Sequence, residues 1–146
     1  MEERSAGAVV FSGDEPGRRR FLLLLNGGKW DFSKGNIEKG ESELQTVLRE
    51  VEEETGLTRI SVIPGFRRVI EYRYRRGGRN VNKQVVYLLA STTESAVRIS
   101  QEHQGFGWFP YPDALQRASY DNSKATLREA EEFIRRMSAT NDRNQN

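Results

Sequence analysis

The chain is predicted to fold as an α/β (α+β) domain in which a mixed β-sheet is sandwiched between α-helices. Three observations carry that prediction. Apolar runs of strand length recur along the chain, at residues 6–11, 20–25 and 83–91, with Gly, Asn, Asp or Pro close by. One stretch between them, residues 42–56, repeats its apolar residues at helical spacing. A second helical stretch follows the last strand. Strands with helices placed between and after them pack as a sheet covered by helices.

Taken in order, "AGAVVF" (6–11) and "RFLLLL" (20–25) read as strands joined by the turn sequence "SGDEPGRR". "NGGKWDFSKGN" (26–36) is glycine-rich and predicted irregular, with Trp30 and Phe32 tucked beneath it. A helix begins near Ser42, whose hydroxyl suits an N-cap. It buries Leu44, Val47, Leu48 and Val51, and ends at Gly56, which supplies a left-handed residue. "TRISVIPGF" and "RRVIEYRYR" are further strands, "RGGRN" (76–80) is a hairpin turn, and "KQVVYLLAS" (83–91) suits a central strand. "GFGWFPY" (105–111) is a short aromatic strand that ends at prolines. A short helix is expected from Asp113 to Leu115. A longer one is expected from about Ser123 to Met137, with Ala125, Leu127, Ala130, Phe133, Ile134 and Met137 facing inward. Residues 1–138 form one domain, and the polar tail 139–146 is predicted disordered.

A chain of 146 residues is long enough for one domain with a real core. It has no cysteine, which excludes a disulfide framework and a thiolate metal site. Carboxylate, imidazole and carbonyl remain as metal-ligand types, with a single histidine among them. No apolar run approaches the roughly 20 residues of a membrane span. The N-terminal "MEERSAGAVVF" carries acidic residues where a signal peptide needs basic ones. The expectation is a soluble cytoplasmic protein, a monomer by its charged surface, with no obligate protein partner and no membrane attachment.

The net charge is only +2 but unevenly spread. Residues 35–54 are acidic, whereas "RRR" (18–20) and "FRRVIEYRYRRGGR" (66–79) are basic. An acidic pocket beside a basic rim suits a polyanionic substrate that arrives with a divalent cation. Two solvated faces of opposite sign account for the same distribution.

The acidic helix sharpens the choice. At about 100° per residue, Glu50, Glu53 and Glu54 share an arc next to the apolar stripe. Carboxylates at the edge of a core lose hydration and repel one another, which raises their pKa values or recruits a cation. Hard divalent cations such as Mg²⁺ prefer carboxylate oxygens. Arg49 can fix the direction of a carboxylate through a bidentate pair, and Glu41 can reach back toward the cluster. A metal site accounts for the spacing better than a solvated face does.

Gly35, five residues, Glu41, seven residues and then "REVEEETGL" resembles the complete Nudix box, G-x5-E-x7-R-E-U-x-E-E-x-G-U with U aliphatic. Gly35, Glu41, Arg49, Glu50, Val51, Glu53, Glu54, Gly56 and Leu57 all match. The resemblance implies the Nudix fold and hydrolysis of a nucleoside diphosphate linked to another group. It also implies Mg²⁺, with Mn²⁺ as a substitute, held by Glu50, Glu53 and Glu54 with the Gly35 carbonyl. Arg49 is then the orienting partner and Glu41 a supporting acid.

Within that family, outer segments are similar to asymmetric diadenosine tetraphosphate hydrolases of the animal and archaeal type. "KWDFSKGNIEKGES" resembles their W-x-x-P-K-G-H-x-E-x-G-E, "IPGFRRVIEYRYR" a strand pair with basic residues and a tyrosine after G-F, and "NKQVVYLLA" their K-x-V-x-Y-[WF]-L-A. "ISQEHQGFGWFPYPDAL" resembles S-x-E-H-x-x-[FY]-x-W, and the similarity covers about residues 5–135. It implies that Lys34 and Lys83 contact the oligophosphate, that Tyr87 stacks on adenine with Tyr120 on the other face, and that His103 touches phosphate. Glu102 is implied as a further metal ligand or general base. Tyr87 as plain core, and His103 as a loop hydrogen-bonder, stay open alternatives; Trp30 and Trp108 read as packing residues. The chain departs from the pattern at Ser33, where the family has proline, and at Asn36, where it has histidine.

The expected function is Mg²⁺-dependent cleavage of a dinucleoside polyphosphate, diadenosine tetraphosphate, to ATP and AMP by water attack on an outer phosphorus. The alternatives are another Nudix pyrophosphohydrolase, acting on RNA 5′ ends, nucleoside triphosphates or diphosphoinositol polyphosphates, and a non-catalytic nucleotide-binding module.

Overall fold

A computed structural model describes residues 1–13 and 16–144. Among these, eight strands form one sheet and three helices cover it. The strands are β1 (Glu2–Ser12), β2 (Arg20–Asn26), β3 (Lys29–Asp31), β4 (Ser33–Asn36), β5 (Ile60–Val62), β6 (Arg68–Arg76), β7 (Arg79–Thr92) and β8 (Gly105–Phe109). The helices are α1 (Glu43–Thr55), α2 (Tyr111–Arg117) and α3 (Asp121–Asn144). None is long and apolar enough to cross a membrane.

β1 and β7 run parallel at the centre, from Glu2 opposite Asn82 to Phe11 opposite Ser91. The other described pairings are antiparallel. A strand pair covered on both faces needs apolar residues on both, which is why neither "AGAVVF" nor "KQVVYLLAS" alternates cleanly. On one face Val9, Phe21, Leu23, Val85 and Leu89 pack against Leu127, Ala130 and Ile134 of α3. On the other, Ala8, Val10, Leu22 and Ala90 meet Val47 and Val51 of α1. The sheet is therefore sandwiched between helices, as predicted. β6 and β7 form a long hairpin closed by Gly77 and Gly78, at φ 58° and 77°, the backbone that a two-residue type I′ turn requires.

Three local expectations are corrected. Residues 26–36 are not irregular: they supply β3 and β4, and β4 lies against β1 from Ser5 opposite Asn36 to Ala8 opposite Ser33. That close approach needs Gly7, since a Cβ there would collide with the Ser33 carbonyl. Phe32 is buried in the core as expected, and Trp30 packs edge-on against Phe109.

The buried stripe of α1 is rotated from the predicted one. Val47 and Val51 are fully buried, but Leu44 and Leu48 are 46% and 42% exposed, and Thr46, Glu54 and Thr55 go inward instead. The helix thus exposes two leucines and turns Glu54 against β4.

The C-terminal helices are longer than their periodicity indicates. α2 begins at Tyr111, directly after Pro110, and α3 runs from Asp121 to Asn144 instead of stopping near Met137. No Gly or Pro follows Pro112 to end it. Residues 139–144 of the supposed disordered tail are helical, and residues 145–146 lie outside the described residues.

Candidate active site

Both ends of α1 are fixed by local chemistry. Ser42 Oγ accepts from the Gln45 N–H at 3.1 Å while Gln45 Oε1 accepts from the Ser42 N–H at 2.9 Å, a capping box. At the other end Gly56 takes φ 76° and donates to the Glu52 carbonyl at 2.8 Å. The glutamates therefore project at set angles from a helix that neither frays nor rotates.

Arg49 ties the cluster together. Its Nε and Nη2 donate to the two oxygens of Glu41 at 2.6 and 2.9 Å, a fork-on-fork pair. Nη1 donates to Glu50 Oε1 at 2.7 Å and to Glu53 Oε2 at 3.2 Å. Nη2 also reaches the Asn36 carbonyl at 3.0 Å. The Arg49 donors, with the Glu38 N–H and the Thr46 hydroxyl, hold the Glu41 carboxyl down at about 2. Glu41 stays charged and clamps the arginine.

Glu54 is different: its side chain is 9% exposed. Its Oε1 accepts from the Ser33 hydroxyl at 2.8 Å and from the Lys34 N–H at 2.9 Å. Its Oε2 lies 3.2 Å from His103 Nε2, and His103 Nδ1 lies 3.0 Å from Ser100 Oγ. Burial lifts the Glu54 pKa to about 7, with the Glu50 charge adding to it and the Ser33 and Lys34 donors opposing. Burial also raises Glu50; Arg49 opposes that rise, and the charges of Glu53 and Glu102 add to it. The His103 pKa is lowered by burial. Its Nε2 faces Glu54 and its Nδ1 faces the Ser100 hydroxyl.

These groups line a cavity of about 730 Å³ whose walls include Lys34, Gly35, Glu50, Glu53, Glu54 and Glu102, with Lys83 also at its edge. Glycine at 35 leaves room for the Glu50 carboxyl: a Cβ there would overlap it and displace it. Among the described residues no three acidic or histidine groups already converge on one point as a metal site. The physical reason is Arg49, whose guanidinium draws Glu50 and Glu53 to itself. The donor set still fits a hard divalent cation: oxygen ligands line one cavity, and burial and mutual repulsion disfavour the charged form of Glu50 and Glu54, a cost that a bound cation would relieve. Glu53 is 57% exposed, with its carboxylate 3.2 Å from Arg49 Nη1.

A second cavity, of about 450 Å³, adjoins the first through Lys34 and is lined by Ile70, Tyr72, Val85, Tyr87 and Tyr120, with Asp31 and Ser123. Asp31 accepts from Lys34 Nζ at 2.8 Å and from the Ser123 hydroxyl at 2.6 Å. This pairing raises the Lys34 pKa although burial works against it.

Two residues given substrate roles by the resemblance have distinctive surroundings in the fold. Tyr87 is 1% exposed and edge-on to Phe32 at 5.4 Å, so it offers the cavity no open ring face. The exposed tyrosines there are Tyr120 and Tyr72, at 47% and 41%. Tyr72 is a site residue that the sequence reading did not name. Its signal was strand alternation, which puts it on the same face as Ile70 and directly opposite Lys83. His103 does not line the carboxylate cavity; with Lys34, Glu54, Glu102 and Tyr120 it lines a smaller one of about 230 Å³ while contacting Glu54 and Ser100.

Part of the basic rim is paired internally. Arg67 pairs with Glu43, Arg68 with Glu129, and Arg76 with Glu3. Lys83 lies 3.2 Å from Asn36 Oδ1 and 3.4 Å from Glu3. Trp108 is a packing residue, as expected, with its Nε1 donating to the Ser95 carbonyl.

Comparison with known proteins agrees with the box. The NUDIX domain family model matches residues 1–130. The chain is 39% identical to the bis(5′-nucleosyl)-tetraphosphatase [asymmetrical] of Rattus norvegicus, covering 92% of this chain and 97% of that protein. It is 29% identical to the protein of the same name from Caenorhabditis elegans, covering 92% and 98%. Among solved structures, that of a C. elegans Ap4A hydrolase binary complex superposes with a TM-score of 0.78 at 29% identity, covering 90% of this chain and 97% of that one. With an intact motif, a matching fold and full-length relatives, the chain belongs to the Nudix family.

Proposed function

We propose that this chain hydrolyses diadenosine tetraphosphate asymmetrically, to ATP and AMP, with a divalent cation that is Mg²⁺ by preference and Mn²⁺ as a substitute. The single observation that carries the reading is the junction at Lys34. There a carboxylate-lined cavity opens onto an aromatic one, so a phosphate chain and its base have adjoining places. The near full-length likeness to proteins named as asymmetrical tetraphosphatases supports the substrate.

Tyr72 and Tyr120 bind one adenine between exposed ring faces. Lys34 and Lys83 bind the phosphates as point charges, and Asp31 fixes where the Lys34 ammonium points. Glu50, Glu53 and Glu54, with Glu102 and the Gly35 carbonyl, hold the cation. When bound, it supplies neutralising charge to the phosphoryl oxygens and lowers the pKa of the attacking water. Arg49 orients Glu50 and Glu53. Glu54, aimed by Ser33 and the Lys34 N–H, is the carboxylate we assign to take the water's proton. Water adds to an outer phosphorus, the bond to the bridging oxygen breaks, and that oxygen leaves on the triphosphate side. The protein acts as a monomer in the cytoplasm.

A substrate panel tests this. With Mg²⁺, diadenosine tetraphosphate is expected to give equimolar ATP and AMP, and pyrophosphate release from RNA 5′ ends or nucleoside triphosphates is expected to be slower. Two molecules of ADP, or rapid RNA trimming with no dinucleotide cleavage, contradict the assignment. Internal pairing of Arg67, Arg68 and Arg76 argues against a long polyanion lying on the hairpin. The intact box argues against a non-catalytic module.

A further inference from the structure

We infer that Ser33 is a positioning residue for Glu54: its buried hydroxyl holds the carboxylate in the orientation that faces the ion and the attacking water. The inference rests on the reading of Glu54 as a metal-facing carboxylate.

Ser33 is 3% exposed, at the start of β4 where the strand lies against β1. A buried hydroxyl needs a partner, and Ser33 Oγ donates to Glu54 Oε1 at 2.8 Å. The same oxygen accepts the Lys34 N–H at 2.9 Å. Two donors from consecutive residues therefore converge on one carboxylate oxygen, while His103 holds the other oxygen from the opposite side at 3.2 Å. A carboxylate has roughly four lone-pair directions, so the three contacts fix its plane and leave one Oε2 direction open for chemistry. The Lys34 N–H is backbone and present whatever the side chains are. His103 lies on a loop. Ser33 is the donor that this sequence adds by its choice of side chain, placed on the rigid strand. Without it the carboxylate pivots about the remaining contacts, and partners of this kind commonly change metal affinity or activity by 10–100-fold.

The test uses full-length Ser33→Ala, Ser33→Thr and Ser33→Cys. Mn²⁺ uptake is followed by calorimetry, and diadenosine tetraphosphate turnover and thermal midpoint are measured alongside. Ser33→Ala is expected to weaken Mn²⁺ binding and lower kcat by about tenfold each, with KM nearly unchanged and the thermal midpoint lowered by only a few degrees. Ser33→Thr, which keeps the hydroxyl, is expected to restore both, and Ser33→Cys, a weak donor, to fall between. Matching Mn²⁺ isotherms for wild type and Ser33→Ala overturn the inference, at whatever affinity. So does a Ser33→Ala protein that loses thermal stability in proportion to activity and is not rescued by Thr or Cys. Because the isotherm needs no turnover, a wild type that binds Mn²⁺ but leaves the dinucleotide uncut overturns the proposed substrate and leaves Ser33 judged on binding alone.

Discussion

His103 Nε2 stands 3.2 Å from Glu54 Oε2, with both side chains below a tenth exposed. Burial lifts the Glu54 pKa to about 7 and lowers that of His103 beside it. The sign of the pH dependence follows. A carboxyl raised from 4.5 in the fold contributes stability below that value and loses it as pH climbs through about 7. With divalent cations chelated, the chain is expected to melt lower at pH 8 than at pH 5.5, by an amount equivalent to about 2 kcal/mol at most. Glu54→Gln should flatten that slope and lower turnover by at least about a hundredfold while the fold stands. An unchanged slope in the variant would show that Glu54 is not its source.

Arg49→Ala should cost about 2 kcal/mol of stability, since it leaves Glu41 and Glu50 without their shared partner. Activity should fall 10–100-fold, as for partners that orient metal ligands. Arg49→Lys is expected to recover stability but little activity, because one ammonium cannot span Glu41, Glu50 and Glu53 together. Denaturant melts and kcat measured on the same samples distinguish the two effects. Full activity in the lysine variant would remove the orienting role.

Gly35→Ala adds a methyl group where the Glu50 carboxyl sits. The strand tolerates alanine, so circular dichroism should be unchanged while kcat drops at least about tenfold through the displaced carboxylate. Near-normal turnover would mean that Glu50 is not held against β4 during the reaction.

Tyr72→Ala and Tyr120→Ala should each raise KM for the dinucleotide about tenfold, the scale of one lost base–aromatic stack. Tyr87→Phe should leave KM unaltered, because its buried ring shows the cavity no face. The reverse order of effects would restore Tyr87 as the stacking residue.

How far the sequence revealed the site depends on the range of the interactions. Ser42 and Gly56 announced the limits of α1 because capping is decided within four residues, and the glutamate spacing followed from helical geometry. The apolar runs at 6–11 and 83–91 marked the central strands for the same local reason. Rotation of α1 was not legible: which leucines stay exposed depends on β4, and β4 depends on the closeness of Gly7 to Ser33. Tyr72 was passed over for Tyr87 because the family motif in "NKQVVYLLA" marks Tyr87, although its strand is apolar while that of Tyr72 is charged. Only the pairing of β6 with β7, and the α3 helix over Tyr87, separates an exposed ring from a buried one. His103 and Ser100 lie some fifty residues from Glu54, so a contact of that kind has no local signature.

The most direct measurement is calorimetry of Mg²⁺ binding to the pure chain with a non-hydrolysable dinucleotide present, comparing wild type with Glu50→Gln, Glu53→Gln and Glu54→Gln. Saturable uptake by wild type, reduced at least about tenfold in each variant, is predicted for a carboxylate face built to receive divalent cations. No uptake by wild type, or uptake indifferent to all three substitutions, would contradict it.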